Sequence, residues 1–301
     1  MLPCATKVGI GEILDRQKLL AILTEIPVFC RSGFYRTIDG TIEIIYKPAP
    51  TTSLPLSIHL FDTLPSTNQK LWQLLDAGAK PGTVVIATEQ TAGQGQWGRQ
   101  WSSPSGGLYL SMALAPNLPA QQSYELTLST AWGIATTLRD RGIPVSLKWP
   151  NDLILNQRKL GGILTQTKVR QGKITLAVVG VGINWTNRVP PTGINLQSFA
   201  ANTSSSAITC LEMLAAVTIL GIASAHQLCS QAGIDTLLDS YHQLLTSIGK
   251  QVWVNGRAGV VVGVTASGNL RVVVATNNLS EYTRLQEIHL KPGEITIGYD
   301  H

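Results

Sequence analysis

Charged side chains are scarce in this sequence: Asp, Glu, Lys and Arg together make up 14% of its 301 residues, against the roughly 25% usual for soluble chains. With so little charge and 44% apolar content, the chain is not held open by self-repulsion and has material for a buried core, which excludes an intrinsically disordered protein. Cysteine is equally sparse. Cys4, Cys30, Cys210 and Cys229 stand far apart, without a Cys-x-x-Cys pair or a neighbouring histidine, so neither a zinc site nor any other protein-held metal is expected, and the thiols fit a reducing cytoplasm. The net charge is +5 but no run of five Lys or Arg occurs, so no nucleic-acid surface is expected. No charged-then-apolar leader opens the chain. The longest apolar stretch, Leu211 to Ala225, carries Glu212; it is short for a bilayer and reads as a buried helix, with no membrane as partner.

What is present divides the chain in three. Residues 1–55 predict one helix, Glu12 to Glu25, and a hairpin from Tyr35 to Tyr46 turning at Asp39-Gly40, followed by a joint at Pro48, Pro50 and Pro55. One helix does not make a helix-turn-helix, which needs two. Residues 56–248 predict an α+β body, a central mixed β-sheet with helices. Ser66 with Gln69 starts a helix that Gly78 ends. Strands follow at Val84 to Thr88, Leu108 to Leu114, Val145 to Lys148, Leu160 to Lys168 and Ile174 to Ile183, with helices at Ser123 to Arg141, Ile208 to Gln231 and Ile234 to Ile248. Residues 249–301 change texture to short alternating strands, Gln251 to Val254, Gly259 to Thr265, Asn269 to Ala275 and Glu281 to Leu285, which predict a small β-barrel.

Three stretches carry chemistry. The first runs from Gln90 through Gly93-Gln94-Gly95-Gln96-Trp97-Gly98-Arg99-Gln100-Trp101 to Pro104. Its glycines let backbone N–H groups approach a polar ligand, Arg99 can neutralise a phosphate, and the tryptophans can form an apolar lid. It matches neither the phosphate loop nor the dinucleotide fingerprint, and by itself also fits a surface loop. The second is Lys148-Trp149-Pro150-Asn151-Asp152, then Lys159 and Gly161-Gly162. Pro150 restricts the backbone, and a hairpin turning at Asn156-Gln157 can bring Asp152 and Lys159 to one cleft; an ordinary turn with a solvated lysine has the same residues. The third, Gly180-Val181-Gly182-Ile183-Asn184, permits either close approach of a ligand or close strand packing.

In this order and spacing, together with Ser66-Thr67-Asn68, these stretches resemble the biotin protein ligase family over about residues 60–290. The resemblance implies a class II aminoacyl-tRNA synthetase/biotin ligase-like catalytic domain followed by an SH3-like β-barrel. It implies ATP-dependent formation of biotinyl-5'-AMP and transfer of biotin to a lysine of a biotin carboxyl carrier protein, the carrier of a biotin-dependent carboxylase. ATP, biotin and Mg²⁺ are the ligands implied, with a monomer or homodimer as the assembly. Ser66, Thr67, Asn68, Gln90, Gly93, Gln94, Gly95, Gln96, Trp101, Lys159 and Gly162 would hold biotin. Arg99, Lys148, Asn151, Asp152, Lys159 and Asn184 would hold ATP, with Lys159, Arg99 and Asp152 as the catalytic groups.

A carboxylate attacking a phosphate brings two anions together, so a lysine neutralising both lowers the barrier; Asp152 could accept a proton from the incoming amine. Lipoate ligases share the Asn-Asp turn and a downstream lysine, and some relatives of the family are biotin-sensing repressors; Trp101, Ser103-Pro104 and the terminal strands favour biotin. The sequence departs from the family pattern at Gln94, Gln96 and Trp97, where basic residues are usual. A neutral amide is about half as strong a donor as a charged one, so a looser hold on the adenylate is expected.

Overall fold

A computed structural model describes residues 14–25, 32–38, 41–47, 55–201, 208–276, 284–295 and 297–298. Glu12, Cys4, Cys30 and the Asp39-Gly40 turn lie outside them. The strands of the larger sheet are β1 (Ser32–Ile38), β2 (Thr41–Lys47), β3 (Leu56–Leu64), β4 (Thr83–Gln90), β5 (Gly107–Leu114), β6 (Leu118–Pro119), β7 (Ser146–Lys148), β8 (Asp152–Leu155), β9 (Arg158–Arg170) and β10 (Lys173–Asn184). Their order is β1-β2-β3-β4-β5-β10-β9-β8-β7, with β6 beside β10. The sheet is mixed: β3 and β4 run parallel, and the other pairs are antiparallel. The early hairpin is therefore continuous with this sheet through β2 and β3.

The helices are α1 (Arg16–Glu25), α2 (Thr67–Asp76), α3 (Ser123–Arg139), α4 (Leu196–Ala200), α5 (Leu211–Ala232) and α6 (Asp235–Leu244). A parallel strand pair needs a crossover, and α2 supplies it between β3 and β4. Side chains alternate along β4: Val85 and Ala87 pack under α2 with Leu71, while Val84 and Ile86 join the larger core with Leu128 of α3 and Leu214 of α5. β5 lies between the two layers and is buried at every position, as a strand covered on both faces must be.

α5 continues past the expected apolar stretch to Ala232, and at 22 residues it is long and apolar enough to cross a bilayer. Here it packs along α3, closely enough that a Cβ on Gly133 would meet the Gly221 carbonyl oxygen. Only glycine at these two positions lets the backbones come so near.

Three strands were not expected from sequence, β3, β8 and the two-residue β6. β3 shows the expected alternation of Leu56, Ile58 and Leu60 inward but follows directly on the proline-marked joint. β8 occupies what reads as a turn and has four residues. The second sheet contains β11 (Gln251–Val254), β12 (Arg257–Val264), β13 (Leu270–Thr276) and β14 (Arg284–Leu290), antiparallel throughout in that order. It is consistent with an SH3-like module. Its last strand runs on to Leu290, past the expected end at Leu285, and Glu281 lies outside the described residues.

Candidate active site

One end of α2, the end of β4 and residues of β5 and β9 form a neutral hydrogen-bonded network. Ser66 caps α2 by accepting the Gln69 N–H at 3.5 Å, the role its side-chain oxygen suits. Thr67 donates both its backbone N–H (2.8 Å) and its hydroxyl (3.1 Å) to Gln90 Oε1, and Gln90 Nε2 donates to Ser103 Oγ at 2.9 Å. Ser103 passes its hydrogen to the Trp101 carbonyl at 3.0 Å. Ser111, fully buried in β5, shares its single hydroxyl hydrogen between Asn68 Oδ1 at 2.6 Å and Thr67 Oγ1 at 2.7 Å. Asn68 Nδ2 donates to the Leu164 carbonyl at 3.4 Å. Such a chain orients each member before any ligand arrives.

The glycines of β10 explain how this fits. A Cβ on Gly180 would strike the Asn68 amide, and one on Gly182 the Trp101 indole. The strand gives room to side chains of the site itself. Trp101 Nε1 is buried there and has no hydrogen-bond partner among the described residues.

The charged half is built by β7, β8 and β9. The hairpin between β8 and β9 turns at Asn156 and Gln157, both in the left-handed region (φ 47° and 61°). Asp152 faces Gly162 across the pair and Ile154 faces Lys159, with Leu160 as the extra residue of a bulge. Positions 159 and 162 are an odd number apart, so in a regular strand they would point to opposite faces; the bulge restores Lys159 to the face of Asp152. The result is an ion pair of 2.6 Å between Lys159 Nζ and Asp152 Oδ1. Lys159 Nζ also stands 5.2 Å from the centre of the Trp101 ring, a favourable position for a cation.

Lys148 faces Asp152 across β7 and β8 and is 9% exposed. Burial, the largest influence, pulls its ammonium down to about 8; Asp152 opposes the fall, while Lys159, Lys250 and Arg99 add to it. Asn151 holds the turn by donating Nδ2 to the Ile163 carbonyl at 2.8 Å.

The glycine-rich loop closes on itself as a small hairpin. Gly95 N donates to Arg99 O at 2.6 Å and Trp101 N to Gly93 O at 2.9 Å, with Gln94 bridged to Gln100. Trp97 takes a left-handed backbone (φ 61°), stands 60% exposed and lies against Gly293.

Both halves and the loop line one cavity of about 730 Å³, together with Lys291, Gly293 and Glu294 from the segment after β14. Of the residues singled out from sequence, Ser66, Thr67, Asn68, Gln90, Gln94, Gly95, Gln96, Arg99, Trp101, Lys148, Asn151, Asp152, Lys159 and Gly162 line it. Two stand behind it. Gly93 packs against Trp101, Ser103 and Gln90, and Asn184 donates to the carbonyls of Ile194 (3.2 Å) and Lys159 (3.4 Å). Ser111 and the segment from Lys291 were missed. A lone serine in an apolar strand carries no signal, and nothing in residues 291–297 marks them as part of a cavity 100 residues upstream.

The arrangement can hold a neutral polar group at one end, place an anion beside Lys159, and meet further negative charge with Arg99, Lys148 and Lys291. Among the described residues no three His, Cys, Asp or Glu side chains converge as a metal site. Asp152 and Glu294 are the carboxylates lining the cavity, and Asp152 is already paired.

A family model described as the biotin/lipoate A/B protein ligase family matches residues 60–184. The chain is 30% identical over 233 residues to the bifunctional ligase/repressor BirA of Salmonella typhimurium, covering 71% of this chain and 72% of that protein. With the bifunctional ligase/repressor BirA of Bacillus subtilis it shares 37% identity over 125 residues, 41% of this chain and 38% of that protein's length. The biotin protein ligase of Aquifex aeolicus, solved in complex with biotin and ATP, has the same fold, with a TM-score of 0.59 over 77% of this chain and 94% of that one at 24% identity.

Proposed function

The chain belongs to the biotin/lipoate A/B protein ligase family, and from that premise we propose that it is a biotin protein ligase, forming biotinyl-5'-AMP from biotin and ATP and passing biotin to a lysine of a biotin carboxyl carrier protein. The observation that carries the reading is the Lys159–Asp152 pair, 2.6 Å long, standing between a neutral network and a group of cations in one cavity.

Biotin's ureido ring is neutral, with one acceptor and two donors. Ser66, Thr67, Asn68 and Gln90 answer it with neutral hydroxyls and amides already oriented by Ser103 and Ser111. The Trp101 ring walls the apolar part of the ligand. Lys159 then meets the biotin carboxylate and the α-phosphate together. It neutralises both and holds them in line for attack, a contribution of position and charge. Arg99, Lys148 and Asn151 take the nucleotide side, Gln94 and Gln96 cover the adenylate as neutral donors, and Asp152 orients Lys159. Asn184 serves from behind by fixing the Lys159 backbone.

Mg²⁺, when bound with ATP, would supply charge that shields the departing pyrophosphate. In the second step the amine of the carrier lysine displaces AMP, and Asp152 is the carboxylate placed to receive its proton. The free thiols of Cys210 and Cys229 support a cytoplasmic location. Among the described residues before Leu56 there are one helix and a hairpin joined to the catalytic sheet.

The test is incubation with ATP, Mg²⁺, biotin and a carrier domain, read by intact mass. Expected is a carrier heavier by one biotinyl group, dependent on ATP and unaffected by lipoate. An unmodified carrier, or one that takes up lipoate instead, overturns the reading.

A further inference from the structure

Lys148 enters the cavity from a three-residue strand, β7, and the backbone on either side of it is gripped by residues outside the cavity. On one side the Leu147 carbonyl accepts from Thr246 twice, from N at 2.8 Å and from Oγ1 at 3.1 Å. Leu147 also pairs with Leu245 in a parallel bridge just beyond α6. On the other side the Trp149 indole, 4% exposed, donates Nε1 to the Gly268 carbonyl at 2.9 Å. Gly268 belongs to the turn between β12 and β13, which closes through Gly268 N to Thr265 O (2.9 Å) and Thr265 N to Asn269 O (2.8 Å). That turn is pressed onto α3: a Cβ on Gly268 would collide with Tyr124. Trp149 and Pro150 line the cavity, whereas Thr246 and Gly268 do not.

A buried indole N–H that loses its acceptor carries its full desolvation cost, and so does the carbonyl left behind. The turn bearing Lys148, Asn151 and Asp152 therefore takes its position from the second sheet and the end of α6. We propose that Trp149, Thr246 and Gly268 are positioning residues for the nucleotide half of the site, clamping the Leu147–Pro150 backbone so that Lys148 and Asp152 stand where the phosphates are handled. The second sheet is then part of the adenylating machinery through a backbone carbonyl. This inference rests on the ligase reading above.

Trp149→Phe keeps an aromatic ring, though a smaller one, and removes the donor; Gly268→Ala disturbs the acceptor from the far side without adding an atom to the cavity. Each is assayed by biotin-dependent exchange of pyrophosphate into ATP and by biotin binding without nucleotide. Expected are a rise of about tenfold in KM for ATP, a lower kcat, and biotin affinity within about twofold of the parent, because the lost bond serves one half of the cavity. A merely structural role would not move the pH profile. With a loosened turn Lys148 regains water, so the titration of its ammonium, which burial pulls down to about 8, should shift upward in the profile of the variant relative to the parent.

Equal losses toward biotin and ATP, or no change in either, would overturn the clamp. So would an unshifted pH profile in a variant with raised KM. If Gly268→Ala fails to fold, Thr246→Val takes its place beside Trp149→Phe. Should the parent enzyme show no biotin-dependent exchange, the functional reading fails and the clamp is judged on nucleotide binding alone, where the same loss in both variants still supports it.

Discussion

The two ends of the cavity are built on different principles. Around Ser66, Thr67, Asn68 and Gln90 the groups are neutral; Thr67 bonds to Gln90, Gln90 to Ser103, and Ser111 of β5 to both Thr67 and Asn68. Around Lys148, Asp152 and Lys159 the groups are charged, drawn from the short β7 and β8 and the bulged start of β9, and braced from the residues just beyond α6 and from the second sheet. A neutral ring is selected by a network whose geometry is settled beforehand. Anions are met by cations gathered around one carboxylate, where small displacements change the electrostatics steeply. Recognition and reaction are thus separable, and substitutions in one half should leave the other's measurements in place.

The largest expected effect is at the junction. Lys159→Ala should lower biotin-dependent pyrophosphate exchange by about a thousandfold, the scale of removing a group that stabilises developing charge, with circular dichroism unchanged. Retained exchange would remove Lys159 from the mechanism. Next comes Ser111→Ala in the neutral half. It strips Asn68 Oδ1 and Thr67 Oγ1 of their donor and should weaken biotin binding by about tenfold to a hundredfold, measured by calorimetry, while KM for ATP stays put. A matching rise in that KM would break the separation.

The pH dependence sharpens it further. Lys148, held at about 8, is cationic below that pH and loses its charge above it, so KM for ATP should rise by about fivefold to tenfold between pH 7 and 9. The grip on biotin's ureido ring rests on neutral partners, so biotin binding should change less than the ATP curve over the same range. Lys148→Arg, charged throughout, should flatten the ATP curve; a curve that still bends assigns the titration to another group. The smallest effect is expected in the loop. Gln94→Arg with Gln96→Arg should slow release of the adenylate by about threefold to tenfold, as charged donors replace neutral ones. Equal release rates in a rapid-dilution assay would show that loop charge does not retain the intermediate.

The same division governs what could be read from sequence. Residues whose chemistry is their own side chain, Lys159, Asp152, Arg99 and Gln90, line one cavity, and the stretches that hold them are the ones that carry the family resemblance in the sequence. That Asp152 and Lys159 meet at all depends on the Leu160 bulge, which turns on register rather than residue type and leaves no mark in the sequence. Gly180 and Gly182 read equally as ligand approach or close packing. Gly180 packs on Asn68 and Gly182 on Trp101, and both glycines also line the cavity. β3 was hidden by the prolines before it, although its alternation is plain once Leu56, Ile58 and Leu60 are seen to point inward. Gly268 and Lys291 lay furthest from view, since their part in the site comes from contacts across more than a hundred residues of chain.

The close crossing of α3 and α5 also bears on how the protein is made. A ribosome releases the chain from its amino end, so α3 emerges some seventy residues ahead of α5. By the time the bilayer-length apolar helix appears, its partner is already outside and carries the Gly133 notch that receives Gly221. Segments synthesised first generally fold first, and here that order shortens the interval in which a greasy helix is available to a translocon or a chaperone. Reversing the two by circular permutation would leave the folded contacts intact and lengthen that interval.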